Sequence, residues 1–392
     1  MASTNQKRNQ TIGYFGAFIA LGMTIAVLGP SLPTLAENTG STIGQISVLF
    51  TASSGGYFLG SVLGGRLYDR HAGHPIMAIL LALMAAGLTL APFVPLLWLL
   101  AATLFLLGVF EGILDVGGNT LLIWVHRRNV GPYMNALHFF FGVGTFIAPL
   151  ILAQTVLLSG DIKLGYIVMA VLIMPVLFWM LRQPSPTTSH NGSESTSNLA
   201  RHTRSQVILI IFTATILFFY VGAEIGFGGW IYTYALELDL ADETTAAYLN
   251  SAFWGAFTIG RLLSIPLATR FRPRVLMMVN FFGCLLSATL IILFQGSVTV
   301  LWSGSILMGL SMASIFPVTI TLAERRMTIS GQTTSFFFVG VGLGSMLMPW
   351  LIGQLFEPIG PLATMYVILV ALVLDFLVFL GMLRYSRKFK VV

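Results

Sequence analysis

Long apolar stretches alternate with short polar ones along the whole chain. A membrane-spanning helix needs about 20 mostly apolar residues. Twelve stretches of about that length are residues 12–33, 43–66, 75–94, 97–124, 132–158, 164–182, 206–234, 245–268, 274–294, 298–322, 332–356 and 361–384. Because lipid has no partner for unpaired backbone groups, each stretch is predicted to be a helix. The pattern predicts an all-α membrane protein with twelve transmembrane helices.

Composition supports a membrane location. The 392 residues are 56% hydrophobic and 9% charged, whereas a soluble globular protein carries roughly 25% charged residues. Lys7 and Arg8 precede the first apolar stretch, as in a signal peptide. That stretch is too long for a signal sequence and no small-residue cleavage site follows it, so it is predicted to be the first membrane helix.

The positive charges indicate which side each loop occupies. Of the 20 Lys and Arg residues, 19, Arg261 among them, are assigned to the termini and the loops on one side, and Lys163 alone falls on the other side. Cytoplasmic loops are enriched in Lys and Arg, so both termini are predicted to be cytoplasmic in a plasma (inner) membrane protein. The basic residues then face anionic lipid of the bilayer, and no nucleic-acid partner is expected.

The chain divides at its longest polar segment, residues 183–205, which is rich in Ser, Thr, Asn and Pro and reads as a cytoplasmic linker. Residues 1–182 and 206–392 then form two bundles of six helices each. An offset of 200 residues aligns Gly142, Gly144 and Pro149 with equivalents in the second half, and Gly60 and Arg70 as well. This repeat predicts two pseudo-symmetric bundles in the same orientation.

Several strings carry a resemblance to a known family. Gly65-x-Leu67-x-Asp69-Arg70, between the second and third stretches, resembles the loop signature of the major facilitator superfamily. Four further strings resemble the branch that holds the sodium-dependent glucose transporters, close to the fucose permeases: GILDVGGNTLL (112–122), MNALHFFFGVGTFIAPLI (134–151), YVGAEIGFGGWIYTYA (220–235) and FWGAFTIGRLLSIPL (253–267).

The resemblance implies the major facilitator fold and a sugar or sugar-like solute that moves with a coupling cation. Fucose permeases have a carboxylate in the first span, whereas residues 12–33 contain neither Asp nor Glu. The coupling site therefore has to be sought elsewhere in this chain.

Glu111 and Asp115 lie deep in an apolar stretch, four residues apart and so on one helix face, with Asn119 one turn further. A charge at the bilayer centre costs about 2.5–3.5 kcal/mol on insertion scales. The two acids are thus expected to face a cavity, and two neighbouring carboxylates favour a proton on one of them. A structural hydrogen-bond cluster is the alternative.

Asn135 and His138 share a face at the start of the fifth stretch, where His138 is either a proton relay or a packing residue. Glu224 is mid-membrane among aromatic residues, the combination that binds sugars. Residues expected to contact solute are Glu111, Asn119, Asn135, His138, Tyr220, Glu224, Trp230, Asn250 and Trp254. Residues expected to couple the cation are Asp115, Glu111 and His138.

Asp69 and Arg70 are predicted gating residues, because a charge contact between the halves on the cytoplasmic side would hold one state of the cycle. Asp375, in the last stretch, is expected to be structural. The coupling ion remains H+ or Na+, since one acid is sufficient for a proton and several clustered oxygens are needed for sodium. No cofactor or resident metal is expected, and the default assembly is a monomer.

Four functions compete at this point. A cation-coupled sugar symporter agrees best with the buried acids and amides, and a proton-coupled drug or metabolite exporter of the same fold is the alternative. An enzyme is not expected, because the chain lacks a His-Glu-x-x-His motif and a nucleophile elbow. A non-transporting receptor on the same fold would be favoured by loss of the buried acids, which are present here.

Overall fold

The computed structural model describes residues 3–186, 204–327 and 331–386, and every regular element in these ranges is helical. The helices are α1 (Thr4–Ala26), α2 (Leu28–Thr39), α3 (Ile43–Ile46), α4 (Val48–Arg70), α5 (Gly73–Leu90), α6 (Leu97–His126), α7 (Gly131–Ser159), α8 (Lys163–Arg182), α9 (Arg204–Glu237), α10 (Glu243–Arg270), α11 (Pro273–Leu293), α12 (Val298–Met312), α13 (Ile315–Glu324), α14 (Gly331–Ile359) and α15 (Ala363–Ser386). Short 3-10 turns precede α6 and α7.

Within the described ranges, ten helical segments are long and apolar enough to cross a membrane. An eleventh crossing results if α1 and α2, which bend by 45° relative to each other, count as one span. The predicted stretch 245–268 corresponds to α10, a helix of 28 residues, which is less apolar than the others and falls outside that group. An all-helical membrane protein is thus confirmed, with ten or eleven apolar spans.

Two of the helix breaks follow from proline chemistry. A proline ring clashes with the carbonyl four residues earlier and removes a backbone donor. Pro30 acts in this way on Ala26, the last residue of α1. Pro317 acts on Ala313, directly after α12 ends. The chain therefore bends at both places and resumes as α2 and α13.

The helices form two groups that also contact each other. In residues 3–186, α1 packs on α7, α4 on α6, and α5 on α8. In the remaining described residues, α9 packs on α14, α10 on α12, and α11 on α15. The two groups meet where α2 packs on α9, α7 on α10, and both α3 and α4 on α14. Each group is called a half below.

The two ends of the bundle differ in charge. The basic end holds the turns after Arg70, Arg270 and Glu324, and the acidic end holds the turns at Thr39, Ser159, Glu237 and Ile359. At the acidic end, a row of hydrogen bonds joins α3 and α4 to α14, and we call it the acidic-end ladder. Its members are Gly44 N to Glu357 Oε1 (3.2 Å), Gln354 Nε2 to Gly44 O (2.7 Å), Ser47 Oγ to Trp350 O (3.5 Å), Thr51 Oγ1 to Met346 O (3.2 Å) and Ser54 Oγ to Ser345 O (3.2 Å).

Other contacts close the same end. The backbones of α2 and α9 approach so closely that a Cβ at Gly29 would lie 2.9 Å from Gly229 Cα. Between α7 and α10, Gln154 donates a hydrogen bond to the Tyr248 hydroxyl. Toward the basic end, by contrast, residues 265–270 of α10 are exposed, as are Asn135 and His138 of α7. The structure is therefore closed at the acidic end, while the α7 and α10 surfaces separate toward the basic end.

Arg261 corrects the charge assignment made from sequence. It was grouped with the basic loops, but it lies inside α10, nine residues before that helix ends at Arg270. At about 1.5 Å per residue it is roughly 14 Å from the end of the helix. The guanidinium is half-buried and lies over the Phe257 ring, with Cζ 4.5 Å from the ring centroid. Arg261 is therefore an intramembrane charge rather than part of the basic rim.

The predicted linker 183–205 is described only at its edges, and residues 187–203 lie outside the described ranges. Its first residues are held against the N-terminal half. Gln10 Nε2 donates to Pro184 O (2.8 Å), and the His74 backbone N–H donates to Ser185 Oγ (2.9 Å). His74 Nδ1 also donates to Gln183 O (3.0 Å). The chain thus leaves α8 along the basic end.

Candidate functional site

The acidic pair predicted from sequence lies at the middle of α6. Glu111 is 14 residues from Leu97 and 15 from His126, the two ends of that helix. Its side chain is 2% exposed, and no hydrogen bond links it to another described residue. Asp115 is half-buried one turn further along. Glu111 is therefore at the middle of the helix, and Asp115 is one turn nearer to its basic end.

Asp115 is held by donors on two helices. Tyr57 of α4 donates its hydroxyl to Asp115 Oδ2 (2.7 Å). Asn119 Nδ2 donates to Asp115 Oδ1 (3.1 Å) and to the Asp115 carbonyl (2.9 Å). Hydrogen bonds of this kind stabilise an ionised carboxylate. The two acids thus differ, because Asp115 has its charge satisfied and Glu111 has no partner among the described residues.

Sequence reasoning missed Tyr57, because nothing in the chain marks a tyrosine 58 residues away as the partner of Asp115. The close approach of α4 and α6 brings them together. Small residues allow such an approach between membrane helices: a Cβ at Gly112 would collide with the Tyr57 carbonyl, and one at Gly117 would collide with the Tyr68 ring. The glycines around the acidic pair thus serve packing.

A second cluster lies in the C-terminal half, where α9 faces α10. Tyr220 and Glu224 are one turn apart on α9, and Glu224 is 8% exposed. The Tyr220 hydroxyl is buried without a hydrogen-bond partner of suitable geometry among the described residues. On α10, Trp254 packs on the next turn of α9, at Gly228, and its Nε1 is buried without a hydrogen-bond partner in the described part of the chain. Three predicted residues are thus brought together.

Trp230 and Asn250 were also predicted to contact solute, and the structure places both inside helix packing. Trp230 is fully buried, donates Nε1 to Pro349 O (3.0 Å) and stacks on Phe356. Asn250 is fully buried and donates Nδ2 to Gly228 O (2.6 Å). In this state neither side chain faces open space. Contact of Trp230 and Asn250 with solute therefore stays a prediction.

His138 and Asn135 face the open side of the molecule. Both are exposed on α7, and the His138 ring makes an edge contact with Phe18 of α1, with centroids 6.0 Å apart. The same face of α7 meets α10, since a Cβ at Gly142 would collide with Thr258. His138 thus lies at the junction of the halves, between Phe18 of α1 and the α7 face that meets α10.

Arg261 completes this junction, and sequence reasoning missed it as a site residue. It lies one turn beyond Phe257 on the α10 face that carries Trp254. The same helix packs on α9 through Trp254 at Gly228, one turn after Glu224, and on α7 through Thr258 at Gly142, one turn after His138. The predicted boundaries 245–268 already contained it, so its position inside an apolar stretch was the available signal.

The predicted gating pair and Asp375 lie elsewhere. Asp69 and Arg70 are exposed at the basic end of α4, and neither forms an ion pair with another described residue. Asp375 is fully buried on α15, and neither of its carboxylate oxygens has a hydrogen-bond partner in the described ranges. Among the described residues the gating pair thus makes no charge contact between the halves, and Asp375 lies on α15, outside the helices that carry the two clusters.

Comparisons with known proteins identify the family. The family model of the Major Facilitator Superfamily matches residues 12–337. The chain is 36% identical over 361 residues to "Sodium-dependent glucose transporter 1" of Xenopus laevis, which covers 85% of this chain and 73% of that protein. It is 32% identical to "Sodium-dependent glucose transporter 1A" of Mus musculus, over 87% of this chain and 88% of that protein.

Solved structures share the fold at low sequence identity. The nucleoside transporter NupG matches with a TM-score of 0.73 at 16% identity, over 99% of this chain and all (100%) of that one. A bacterial homologue of the human lysosomal transporter Spinster, in an inward-facing and unoccupied conformation, matches with a TM-score of 0.74 at 12% identity, over 99% and 98% of the two chains. The helical pattern, the two packed halves and these matches lead to one conclusion: the chain belongs to the major facilitator superfamily.

Proposed function

We propose that this protein is a secondary active transporter that carries a sugar or sugar-like solute together with H+ or Na+ by alternating access. The observation that carries the proposal is the acidic pair on α6, where Glu111 lies about 21 Å from either end of a long helix and Asp115 about 16 Å from its basic end. Acids at that depth are typical of ion pathways. Relatives at 32–36% identity bear the name of sodium-dependent glucose transporters.

The proposed architecture has twelve spans in two pseudo-symmetric six-helix bundles, residues 1–182 and 206–392, with both termini in the cytoplasm. Two features support counting α10 and the bent pair α1–α2 as spans. α10 is 28 residues long, enough to cross the bilayer, and two of its polar residues, Tyr248 and Thr258, contact α7 of the other half. The packing pairs also correspond when shifted by six spans: α1–α7 to α9–α14, α4–α6 to α10–α12, and α5–α8 to α11–α15.

The coupling cation binds, in this proposal, at Asp115 and Glu111. For a proton, Glu111 is the better carrier, because a buried acid without a partner is more stable in its neutral form. For sodium, the clustered oxygens of Asp115, Asn119 and Tyr57 are the better ligands. His138 remains a proposed relay between the acidic pair and the solute.

The solute binds between the halves, where Glu224, Tyr220 and Trp254 meet His138. Carboxylates accept hydrogen bonds from hydroxyl groups, and an aromatic ring covers the apolar face of a sugar. Alternating access then opens the acidic-end ladder and closes the basic end. When the basic end closes, Asp69 and Arg70 are proposed to contact the other half and hold that state.

Uptake into liposomes tests this function. Purified protein is reconstituted, and labelled D-glucose uptake is measured under a proton gradient and a sodium gradient applied separately. We expect one gradient to drive accumulation. Glu111→Gln is expected to leave only equilibrative exchange if the gradient is of protons, and Asp115→Asn if it is of sodium, because the amide cannot carry the coupled charge. Asp161→Asn is the matched control, since Asp161 lies in an exposed turn and pairs with Lys163 (2.6 Å). Absence of glucose accumulation under both gradients would refute the symporter.

Export of a lipophilic cation is the second candidate. One observation favours it: aromatic side chains lie near Glu224. Trp254 packs on α9 one turn after Glu224, and the Phe253 and Phe257 rings pack on Trp254. Cations bind favourably to carboxylates and to aromatic faces. Proton-driven movement of a lipophilic cation, abolished by Glu224→Gln and accompanied by no sugar uptake, would establish this function instead.

A further inference from the structure

Arg261 is an intramembrane arginine whose side chain has no polar partner among the described residues. Its guanidinium stacks on Phe257 (4.5 Å from Cζ to the ring centroid). Within the described part of the chain it forms no ion pair, so its nitrogens lie more than 4.0 Å from the oxygens of Glu224. A guanidinium carries five N–H donors in a planar fork. These donors have to be satisfied by water or by a ligand.

The surroundings of Arg261 place it on the solute path. Arg261 lies on the α10 face that carries Trp254, opposite the α9 face that carries Tyr220 and Glu224. From the other half, α7 packs on α10 within one turn of Arg261, since a Cβ at Gly142, one turn after His138, would collide with Thr258. Ionisable residues inside membrane segments usually mark a substrate or ion pathway. The charge of Arg261 is thus at the junction of the halves and not in lipid.

The combination of Arg261 with Glu224 restricts the class of solute. Alone, an arginine would favour an anionic solute, and a carboxylate alone would favour a cationic one. Together their charges cancel, while the separation beyond 4.0 Å leaves polar groups of both kinds available. A neutral solute with adjacent hydroxyl groups satisfies both, because each hydroxyl is a donor and an acceptor.

We propose that Arg261 and Glu224 together form a subsite for two adjacent hydroxyl groups of a neutral, sugar-like solute. The guanidinium donates to the hydroxyl oxygens, and the Glu224 carboxylate accepts their hydrogens. Trp254 and Phe257 provide the apolar side of the subsite. This inference rests on the proposed sugar transport and adds the residue that selects a neutral polyol over charged solutes.

The protein side is tested with Arg261→Gln and Arg261→Lys in the liposome assay with labelled D-glucose. We expect Arg261→Gln to raise KM about 10- to 100-fold, the loss typical of one hydrogen bond to a charged group. Arg261→Lys keeps the charge but loses the fork, so an intermediate KM is expected. Arg270→Gln is the control, because Arg270 ends the same helix and is exposed. Vmax is expected to change less than KM.

The ligand side is tested first on the wild-type protein, which requires no variant to fold, and then on Arg261→Lys. Inhibition constants are measured for glucose analogues that each lack one hydroxyl group. Removal of the hydroxyl group at either of two adjacent positions is expected to raise the inhibition constant about 10-fold or more. In Arg261→Lys, this increase is expected to be smaller at one of the two positions. Penalties identical in wild type and variant would overturn the inference.

The outcomes separate the two proposals. If the wild type moves glucose and Arg261→Gln leaves KM within about twofold, the subsite is wrong and the sugar transporter stands. If the wild type and Arg270→Gln both fail to move or bind glucose, the proposed function fails and the subsite with it. Stronger inhibition by an anionic sugar acid than by glucose would show that Arg261 acts without Glu224, which also overturns the inference.

Discussion

Removing donors from the acidic-end ladder should open that end of the protein. The variant combines Thr51→Val, Ser54→Ala and Gln354→Leu, which delete three donors to backbone carbonyls of the other half and nearly preserve volume. A neutral hydrogen bond contributes about 0.5–1.5 kcal/mol net. The carbonyl acceptors lie in helices or at their ends, so the lower part of that range applies. The sum is about 1.5–3 kcal/mol, or about a 10- to 150-fold shift toward the state open at the acidic end.

Distances between spin labels report this shift. The chain has one cysteine, Cys284, which is buried, so Cys284→Ala gives a background for labels at Leu96→Cys and Phe294→Cys. Both positions are exposed (64% and 54%) in acidic-end turns of different halves. We expect a longer distance to become prominent in the ladder variant. The control is Thr103→Val with Ser303→Ala, which deletes donors that bond only within their own helices.

The result that refutes this reasoning is specific. If the distance distribution of the ladder variant matches that of the control, the ladder does not hold the acidic end closed. The closure would then depend on the tight backbone packing of α2 against α9. An equal loss of thermal stability in both variants, without a change in distance, would indicate a purely structural role.

Three further predictions concern single positions. With sodium as the coupling ion, Asp115→Asn should lower gradient-driven accumulation by at least about 10-fold while counterflow exchange continues, and loss of exchange as well would contradict a role limited to coupling. Gly29→Ala should lower the thermal midpoint or shift the spin-label distances, because the added Cβ would lie 2.9 Å from Gly229 Cα. The control is Gly65→Ala, where a Cβ would meet nothing within 4 Å, so the thermal midpoint should stay the same or rise. Asp375→Leu should raise the thermal midpoint and preserve uptake, because burial of a carboxyl group without hydrogen bonds to described residues costs about 1–3 kcal/mol. Loss of uptake with intact folding would assign Asp375 a transport role.

The spans and the acidic pair could be predicted because both depend on local sequence. A stretch of apolar residues has one stable conformation in lipid, so helix existence follows from composition alone. Likewise, Glu111 and Asp115 stand out because nothing else nearby is charged, and their common face follows from helix geometry. The bends at Pro30 and Pro317 follow from proline chemistry, although their consequence for the predicted spans became clear only in the structure.

Contacts between helices could not be predicted in the same way. Tyr57 reaches Asp115 across 58 residues of sequence, and either side chain looks ordinary in its own helix. Trp230 and Asn250 have the residue types of a sugar site, yet both are used for packing. Residue type indicates what a side chain can do, but only the neighbours decide whether a partner inside the protein already occupies it.

The sequence by itself determined the membrane location, the approximate helix boundaries and the depth of the acids, because these depend on the transfer of successive residues from water to lipid. Tertiary structure alone decided which end is closed, which polar groups meet, and that Arg261 faces the junction of the halves. Those features depend on contacts between helices far apart in the chain. A helix pattern constrains such contacts only to a face, and close packing selects the partner on that face.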